Sequence, residues 1–171
     1  TISVVETRSM LEVAQIEVGV MPHGSRLNRA GDRQYSVMMM TDELVEMDAF
    51  KFEVSRRLLL SPMDRQNPER MSGGMDHHVH DVSELNRDGA GNKEQMSSIG
   101  GMHMAVVKPT WAQPAPNGKF VYVAANGSDE VIEVDLDKWE ISRTFKTAAG
   151  PYNLDITPND RLLVCLLYTS D

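Results

Sequence analysis

Short stretches in which apolar and polar residues alternate recur along the chain and are separated by residues that favour turns. The stretches QYSVMM, FVYVAA, LVEMD and VIEVD are rich in β-branched and aromatic side chains, and the segments NRAGDR, APNGK and TPNDR punctuate them. A period of two residues bounded by Gly, Pro, Asn and Asp is typical of short strands joined by hairpin turns. The pattern therefore predicts a protein built from antiparallel strands.

The pattern also repeats over a longer distance. Residues 21–60 align with residues 108–147 without a gap at a constant offset of 87. The identical pairs are Pro22/Pro109, Gly31/Gly118, Tyr35/Tyr122, Asp42/Asp129, Glu43/Glu130, Glu46/Glu133, Asp48/Asp135, Lys51/Lys138, Glu53/Glu140, Ser55/Ser142 and Arg56/Arg143. A third copy begins at residue 150, with Pro151 lying 42 residues after Pro109, and residues 1–20 match the second half of a copy. The period is therefore about 42 residues, and residues 61–107 form an insertion of about 45.

Four short strands in each unit of about 40 residues predict an all-β fold, a partial β-propeller of four-stranded antiparallel blades with a long irregular insertion. The predicted parts are a half blade at 1–20, blades at 21–60 and 108–147, and the start of a further blade at 150–164. The tail 165–171, CLLYTSD, is predicted to be non-native because it resembles a translated sequencing adapter. The alternative is an ordinary second strand, since Cys165 and Leu166 align with Val123 and Ala124.

The string GKFVYVAANGSDEVIEVDLDKWEISRTF, followed by GPYNLDITPNDRLLV, resembles the YVTN-repeat β-propeller family, in which VYVAN and then V-x-V-D recur from blade to blade. The resemblance implies a propeller fold and a periplasmic or cell-surface location. Such proteins range from ligand-binding proteins to lactonase-like enzymes. The chain also has a distant similarity to the cofactor-binding propellers of nitrous oxide reductase and haem-d nitrite reductase. Because the copies amount to fewer blades than a closed ring needs, we expect the chain to be a fragment.

The resemblance also implies which face would hold a ligand. In such propellers, the loop from the outermost strand of one blade to the innermost strand of the next emerges on the same face as the loop between the second and third strands. This rim would collect the insertion and the segments that lead into the inner strands. The ligand-binding candidates there are His23, Trp111, Tyr152 and Asn153, because His23, Trp111 and Asn153 differ between copies while their neighbours repeat. The alternative is that these side chains only cap the inner strands.

Other conspicuous residues have a structural interpretation. The pairs Glu46/Glu133, Asp48/Asp135 and Arg56/Arg143 recur at equal positions, which favours turns and cross-strand ion pairs over catalysis. Met10, Phe52 and Trp139 share one repeat position and are interpreted as packing residues. The run Met38 to Met40 suits packing between blades, with at most one of the three reaching the rim.

Charge and composition exclude several functions. Seventeen basic residues against 25 acidic ones give a net charge of −8, which disfavours nucleic acids and anionic membranes as partners. No apolar run approaches the length of a membrane span, and the single Cys165 excludes an internal disulfide. The sequence also contains no nucleophile elbow and no phosphate-binding glycine loop.

The insertion has an unusual composition, since it holds six of the 12 methionines and four of the five histidines of the chain. Thioether and imidazole groups without thiolates are the ligand mixture that suits copper. The metal-binding candidates, in the clusters MDHHVH and MHM and just ahead of them, are Met71, Met75, His77, His78, His80, Met102, His103 and Met104. The alternative is a polar loop in which these residues are incidental.

Together these features predict an exported β-propeller binding protein that takes a small molecule or a protein at its rim and binds copper through the insertion. One alternative is a propeller enzyme in which His23 takes part, either cofactor-dependent and oxidoreductase-like or lactonase-like. A structural interaction module is another.

Overall fold

The computed structural model describes residues 1–61 and 105–168, which form strands and turns. The strands are β1 (Ile2–Glu6), β2 (Leu11–Ile16), β3 (Pro22–Leu27), β4 (Arg33–Met38), β5 (Glu43–Asp48), β6 (Glu53–Leu59), β7 (Pro109–Pro114), β8 (Phe120–Ala125), β9 (Glu130–Asp135), β10 (Glu140–Lys146), β11 (Pro151–Ile156) and β12 (Leu163–Leu167). These parts of the chain contain no helix long and apolar enough to cross a membrane.

The strands form antiparallel sheets that lie side by side as blades. Strands β3 to β6 make one four-stranded sheet in chain order, and β7 to β10 make a second. The pair β1–β2 supplies the third and fourth strands of a blade, and the pair β11–β12 supplies the first and second strands of another. The innermost strand β7 contacts both β3 and β11, so the inner strands of neighbouring blades meet along one side. The fold is a partial β-propeller, which confirms the predicted fold class.

The repeat is reproduced in the pairing of the strands. Tyr35 lies opposite Glu46 in one complete blade, and Tyr122 lies opposite Glu133 in the other. Strand β12 continues through residues 165–167, and Cys165 pairs with Leu154 on β11. Those three residues of the predicted tail therefore occupy the place of an ordinary second strand, while residues 169–171 lie outside the described part of the chain.

The core consists of layers between neighbouring blades. Val37 and Leu44 of one complete blade pack against Val123 and Ile132 of the other, and all four are at most 2% exposed. Similar layers join the first complete blade to β1–β2 and the second to β11–β12. The methionine run divides as expected: Met38 is fully buried in the layer beside β1–β2, whereas Met40 is 47% exposed. Each blade therefore depends on its neighbours for burial.

The recurring charged residues have the predicted structural roles. In each complete blade the buried glutamate binds the arginine of the outermost strand, as the ion pairs Glu46–Arg56 and Glu133–Arg143 show. Asp48 accepts two backbone N–H groups in the turn that follows it, and Asp135 does the same in its own turn. Repetition of a charged residue in this chain therefore marks a structural role, as expected.

Burial and hydrogen bonding change the pKa values in this network. Burial opposes ionisation of Glu133, but hydrogen bonds from Arg143, Ser142 and Tyr122 outweigh it and hold the pKa of Glu133 below its ordinary value. Burial and the neighbouring Glu133 raise the pKa of Tyr122 to about 12. In the other blade, burial and Glu46 raise the pKa of Tyr35 still further. Both phenols therefore stay protonated and donate to a carboxylate.

The shared position of Met10, Phe52 and Trp139 is a turn residue in the left-handed region, with φ of 56°, 57° and 55°. A bulky residue is strained there, so packing has to compensate. Trp139 meets this condition, because its indole N–H donates to the carbonyl oxygen of Arg57 at 2.9 Å and its ring stacks on Arg56. Met10 does not, because it is 74% exposed, so the packing interpretation is wrong for Met10 in this chain.

Candidate functional site

Two equivalent aspartate side chains, the buried Asp42 and the exposed Asp129, fix the segments that lead into the inner strands. The carboxylate of Asp42 accepts the backbone N–H groups of Val106, Val107 and Lys108 at 2.7, 3.1 and 2.8 Å. Its repeat equivalent, Asp129, accepts the N–H of Gly150 at 2.9 Å. The turn before β5 and the turn before β9 therefore lie on the same face as the segments that precede β7 and β11.

Both ends of the insertion meet at this face. The N–H of Leu60 donates to the carbonyl oxygen of Asp42 at 2.7 Å, and the Asp42 carboxylate binds the chain again at Val106. The chain thus leaves one blade and enters the next beside a single residue. The predicted copper ligands themselves lie outside the described residues, between 62 and 104. In the parts that are described, no group of three or more His, Cys, Asp or Glu side chains could hold a metal ion.

His23, Thr110 and Tyr152 occupy one repeat position on three consecutive inner strands, and the structure brings them into contact. The Nδ1 atom of His23 lies 2.6 Å from the carbonyl oxygen of Thr110, so this nitrogen carries a proton and donates it. The Nε2 atom lies 3.5 Å from the hydroxyl of Tyr152, and the two rings meet edge to face. The Thr110 carbonyl therefore fixes the tautomer in which Nε2 has its lone pair available.

Tyr152 extends this contact into a small aromatic group. Its ring lies 5.9 Å from the ring of Tyr168, measured between centroids, and the residue is 37% exposed. The hydroxyl of Thr110 donates to the backbone carbonyl of Tyr152 at 2.8 Å and so holds β11 against β7. His23 and Tyr152 are thus positioned by strand backbones, which gives the pair a defined geometry.

Trp111 has a supporting place beside this pair. Its ring lies against Gly24, where a Cβ atom would overlap both the ring and the carbonyl oxygen of Thr110. The guanidinium of Arg26 stacks over the ring, with its Cζ 4.2 Å from the centroid, and the indole N–H points to Gln113 at 3.4 Å. Glycine at position 24 is therefore required by the close approach of the two inner strands.

A cleft of about 310 Å³ lies between the inner strands, next to the stacked Trp111. Its polar lining comes from Arg26, Gln113, Asn153 and Asp155. A cation, an anion and two amides in one cleft of this size can bind a small polar molecule. Of the predicted ligand residues, Asn153 lines the cleft, Trp111 supports two of the lining side chains, and His23 and Tyr152 form the neighbouring pair.

The sequence analysis did not select Arg26, Gln113 and Asp155. These three residues share one repeat position, at offsets of 87 and 42, and differ in charge from copy to copy. The position is on the inner strand, two or three residues after the predicted ones. The signal that identifies these three residues is a change of chemical type at one equivalent position of the repeat. The same signal identifies the set of His23, Thr110 and Tyr152.

Comparison with known proteins supports the fold. No protein-family model matches the chain and neither does any curated protein, so membership of the YVTN-repeat family stays a prediction. Among solved structures, hydrazine synthase from Kuenenia stuttgartiensis is 18% identical with a TM-score of 0.67, covering 98% of this chain and 36% of that chain. The Cps50 (Swd1) β-propeller domain of Myceliophteria thermophila is 17% identical with a TM-score of 0.55, covering 89% and 34%.

A third similar structure is the dihydro-heme d1 dehydrogenase NirN in complex with DHE, at 12% identity and a TM-score of 0.56, covering 95% of this chain and 27% of that chain. The chain thus spans about a third of the length of the structures it resembles. At these identities the likeness establishes the propeller fold alone.

Proposed function

We propose that this chain is part of an exported β-propeller binding protein that takes a small polar ligand in the cleft between its inner strands. The observation that supports the proposal is the variation at equivalent inner-strand positions. His23, Thr110 and Tyr152 meet at one of them, and Arg26, Gln113 and Asp155 share another. Structural residues of this chain repeat from blade to blade, so positions that vary and converge are the ones free to serve a ligand.

The chemistry of the cleft selects a zwitterionic ligand. The guanidinium of Arg26 suits a carboxylate, the carboxylate of Asp155 suits an ammonium group, and the amides of Gln113 and Asn153 can both donate and accept. Free amino acids carry both charges on a molecule small enough for about 310 Å³. We therefore use L-glutamate and L-lysine as separate probes of the site.

Fluorescence provides the test, because Trp111 and Trp139 are the two tryptophans of the chain. In the Trp139→Phe background the emission reports Trp111, which lies beneath Arg26. We expect saturable quenching by at least one of the two amino acids, weakened at least roughly tenfold by Arg26→Ala. Arg8→Ala, an exposed arginine in the turn between β1 and β2, is the matched control and should leave the affinity unchanged. Absence of saturable binding of either probe would contradict the ligand site in the cleft.

Copper binding by the insertion is the second part of the proposal. Both described ends of the insertion meet at Asp42, so the two ends of the segment that carries the candidate ligands are held close together. The chain is titrated with Cu(I) and Cu(II) against a competing chelator, and the titration is repeated with His77, His78 and His80 changed to Ala. Neutral imidazole is the ligating form, so Cu(II) affinity should fall below pH ~6.5 and drop in the triple variant. His23→Ala, outside the insertion, is the control.

An enzymatic function remains the alternative because the tautomer of His23 leaves Nε2 able to accept a proton. Hydrolysis of a simple lactone by metal-free protein, abolished in His23→Ala, would establish catalysis in place of binding. Stoichiometric copper without turnover supports the binding role, and unchanged copper affinity in the triple histidine variant would reject the metal assignment.

A further inference from the structure

A second cleft, of about 330 Å³, lies where the inner strands end. Strands β3, β7 and β11 and the turns that follow them supply its lining. Its apolar lining residues, from all three of these places, are Leu27, Pro114, Ala115, Pro116, Ile156 and Pro158. Neither β1 nor β12 is among the described elements that line it. The second cleft is therefore a feature of the inner strands and is distinct from the first cleft, the one of about 310 Å³.

Arg29 departs from the repeat at a position that lines the second cleft. Its equivalents at offsets of 87 and 42 are Pro116 and Pro158. In all three copies this residue is the second of a turn that a backbone hydrogen bond closes from the fourth residue to the first. Proline suits the second place of such a turn because its ring fixes φ near the required value. The turn therefore does not require arginine, which leaves the Arg29 side chain available for another role.

The turn that carries Arg29 is held in place by the side chain of Asn28. The Asn28 amide donates to the carboxylate of Asp32 at 2.8 Å, and its carbonyl oxygen accepts the N–H groups of Asp32 and Arg33 at 3.2 and 3.3 Å. The Arg33 guanidinium is bound by Asp48 at 2.9 Å. Among the described residues, no hydrogen bond or ion pair engages the guanidinium of Arg29, which is exposed. The second cleft thus has a cation on a well-anchored turn with its donors available.

The charge of the second cleft differs from that of the first. Among the described residues that line the second cleft, Arg29 alone is charged. In the first cleft, Arg26 and Asp155 supply one charge of each sign. An ammonium group would have no carboxylate to bind in the second cleft, whereas a carboxylate would have a guanidinium. The two clefts therefore select ligands of different charge.

The remaining surface of the second cleft favours an apolar ring. Leu27 is 53% exposed at the end of β3, although its equivalents Pro114 and Ile156 are buried and half-buried. A ring placed against Leu27 would remove apolar surface from water and so gain hydrophobic free energy. The volume of about 330 Å³ is near the lower limit of ligand pockets, which suits a molecule with one ring.

We propose that the second cleft binds a small aromatic monocarboxylate, with the carboxylate on Arg29 and the ring against Leu27 and the proline side chains. A guanidinium and a carboxylate can form two parallel hydrogen bonds, which fix the orientation of the ligand. This site is additional to the proposed zwitterion site and does not depend on it, although Gln113 lines both clefts. Failure of L-glutamate and L-lysine to bind would count against the first cleft alone.

Calorimetric titration of the full-length protein with phenylacetate tests the site, together with two probes that each lack one feature. Phenylacetamide keeps the ring without the charge, and acetate keeps the carboxylate without the ring. We expect saturable binding of phenylacetate and at least roughly tenfold weaker binding of each of the other two. Absence of phenylacetate binding, or equal affinities for phenylacetate and phenylacetamide, would overturn the proposal.

Arg29→Pro removes the cation and installs the residue that the other two copies have. Because proline fits this turn position, thermal unfolding should show unchanged or higher stability. The variant should bind phenylacetate and phenylacetamide equally, and Arg29→Gln, which keeps the backbone freedom of the wild type, should do the same. Arg8→Ala, at an exposed arginine in the turn between β1 and β2, is the control and should keep the preference for phenylacetate. A preference that survives in both Arg29 variants would place the carboxylate elsewhere and reject the site.

Discussion

The two complete blades carry the same tyrosine, glutamate and arginine, yet the arginines have different surroundings. Arg56 stacks on the ring of Trp139 in the next blade, with its Cζ 4.1 Å from the centroid, and donates to the carbonyl oxygen of Leu136 at 3.0 Å. Among the described residues Arg143 stacks only on Phe145 of its own strand, and its side chain is 62% exposed against 36% for Arg56. The contacts among the tyrosine, glutamate and arginine are therefore formed within each blade. The contacts of the arginine with the rest of the molecule depend on the neighbouring blade.

The largest difference in stability between equivalent variants of the two blades is expected when the buried glutamate is removed. Glu46→Ala leaves the buried Tyr35 hydroxyl and the shielded guanidinium of Arg56 without their carboxylate, and we expect a loss of about 3 kcal/mol in the free energy of unfolding. Glu133→Ala should cost less, because the exposed Arg143 can be hydrated instead. Urea unfolding of both variants measures the difference. Equal losses of stability in the two variants would show that the neighbouring blade does not add to the effect of removing the glutamate.

A smaller difference is expected between Asp42 and Asp129. Asp42→Ala removes the acceptor for three backbone N–H groups, whereas Asp129→Ala removes the acceptor for one. Both positions have similar positive φ, 53° and 55°, so backbone strain cancels in the comparison. We expect Asp42→Ala to lower the free energy of unfolding by about 2 kcal/mol, and Asp129→Ala by less. Hydrogen exchange at Val106 to Lys108 should rise in the first variant only. Unchanged exchange there would refute the anchoring role of Asp42.

The contact of Trp139 with the preceding blade can be divided into stacking and hydrogen bonding. Trp139→Phe keeps an aromatic ring against Arg56 but removes the indole donor to the Arg57 carbonyl, so we expect a loss of about 1 kcal/mol. Phe52→Leu is the control, since Phe52 has the same repeat position and a similar φ without a stacked arginine. A control variant that loses as much stability as Trp139→Phe would refute the assignment to the indole N–H.

The smallest effect is expected from pH. Because the folded state holds the pKa of Glu133 below its ordinary 4.5, this carboxylate contributes stability above pH 4.5 and loses it as pH falls through the folded value. The difference in the free energy of unfolding between wild type and Glu133→Gln should therefore shrink as the pH falls from 5 through 4.5 and below. Urea titrations across this range check the sign. A difference that grows on acidification would mean that Glu133 is not stabilised as a carboxylate.

The repeat explains why sequence predicted some residues correctly and missed others. Identity at Glu46 and Glu133 indicated an ion pair because every blade needs the same cross-strand contact, and the structure has it in both. Arg26 and Gln113 were not predicted because the sequence on either side of them does not distinguish them from other polar residues. They become neighbours only where two inner strands approach closely at Gly24. Met10 was assigned to packing from its position, but packing there depends on a neighbouring blade.

The sequence by itself determined the strands, the period and the structural role of the residues that repeat, because alternation, turn chemistry and cross-strand pairing act over distances of a few residues. Tertiary structure alone decided which varying side chains meet. His23 and Tyr152 are 129 positions apart and are brought together by the packing of three inner strands. This outcome depends on how the blades stack, and that stacking is a property of surfaces in three dimensions.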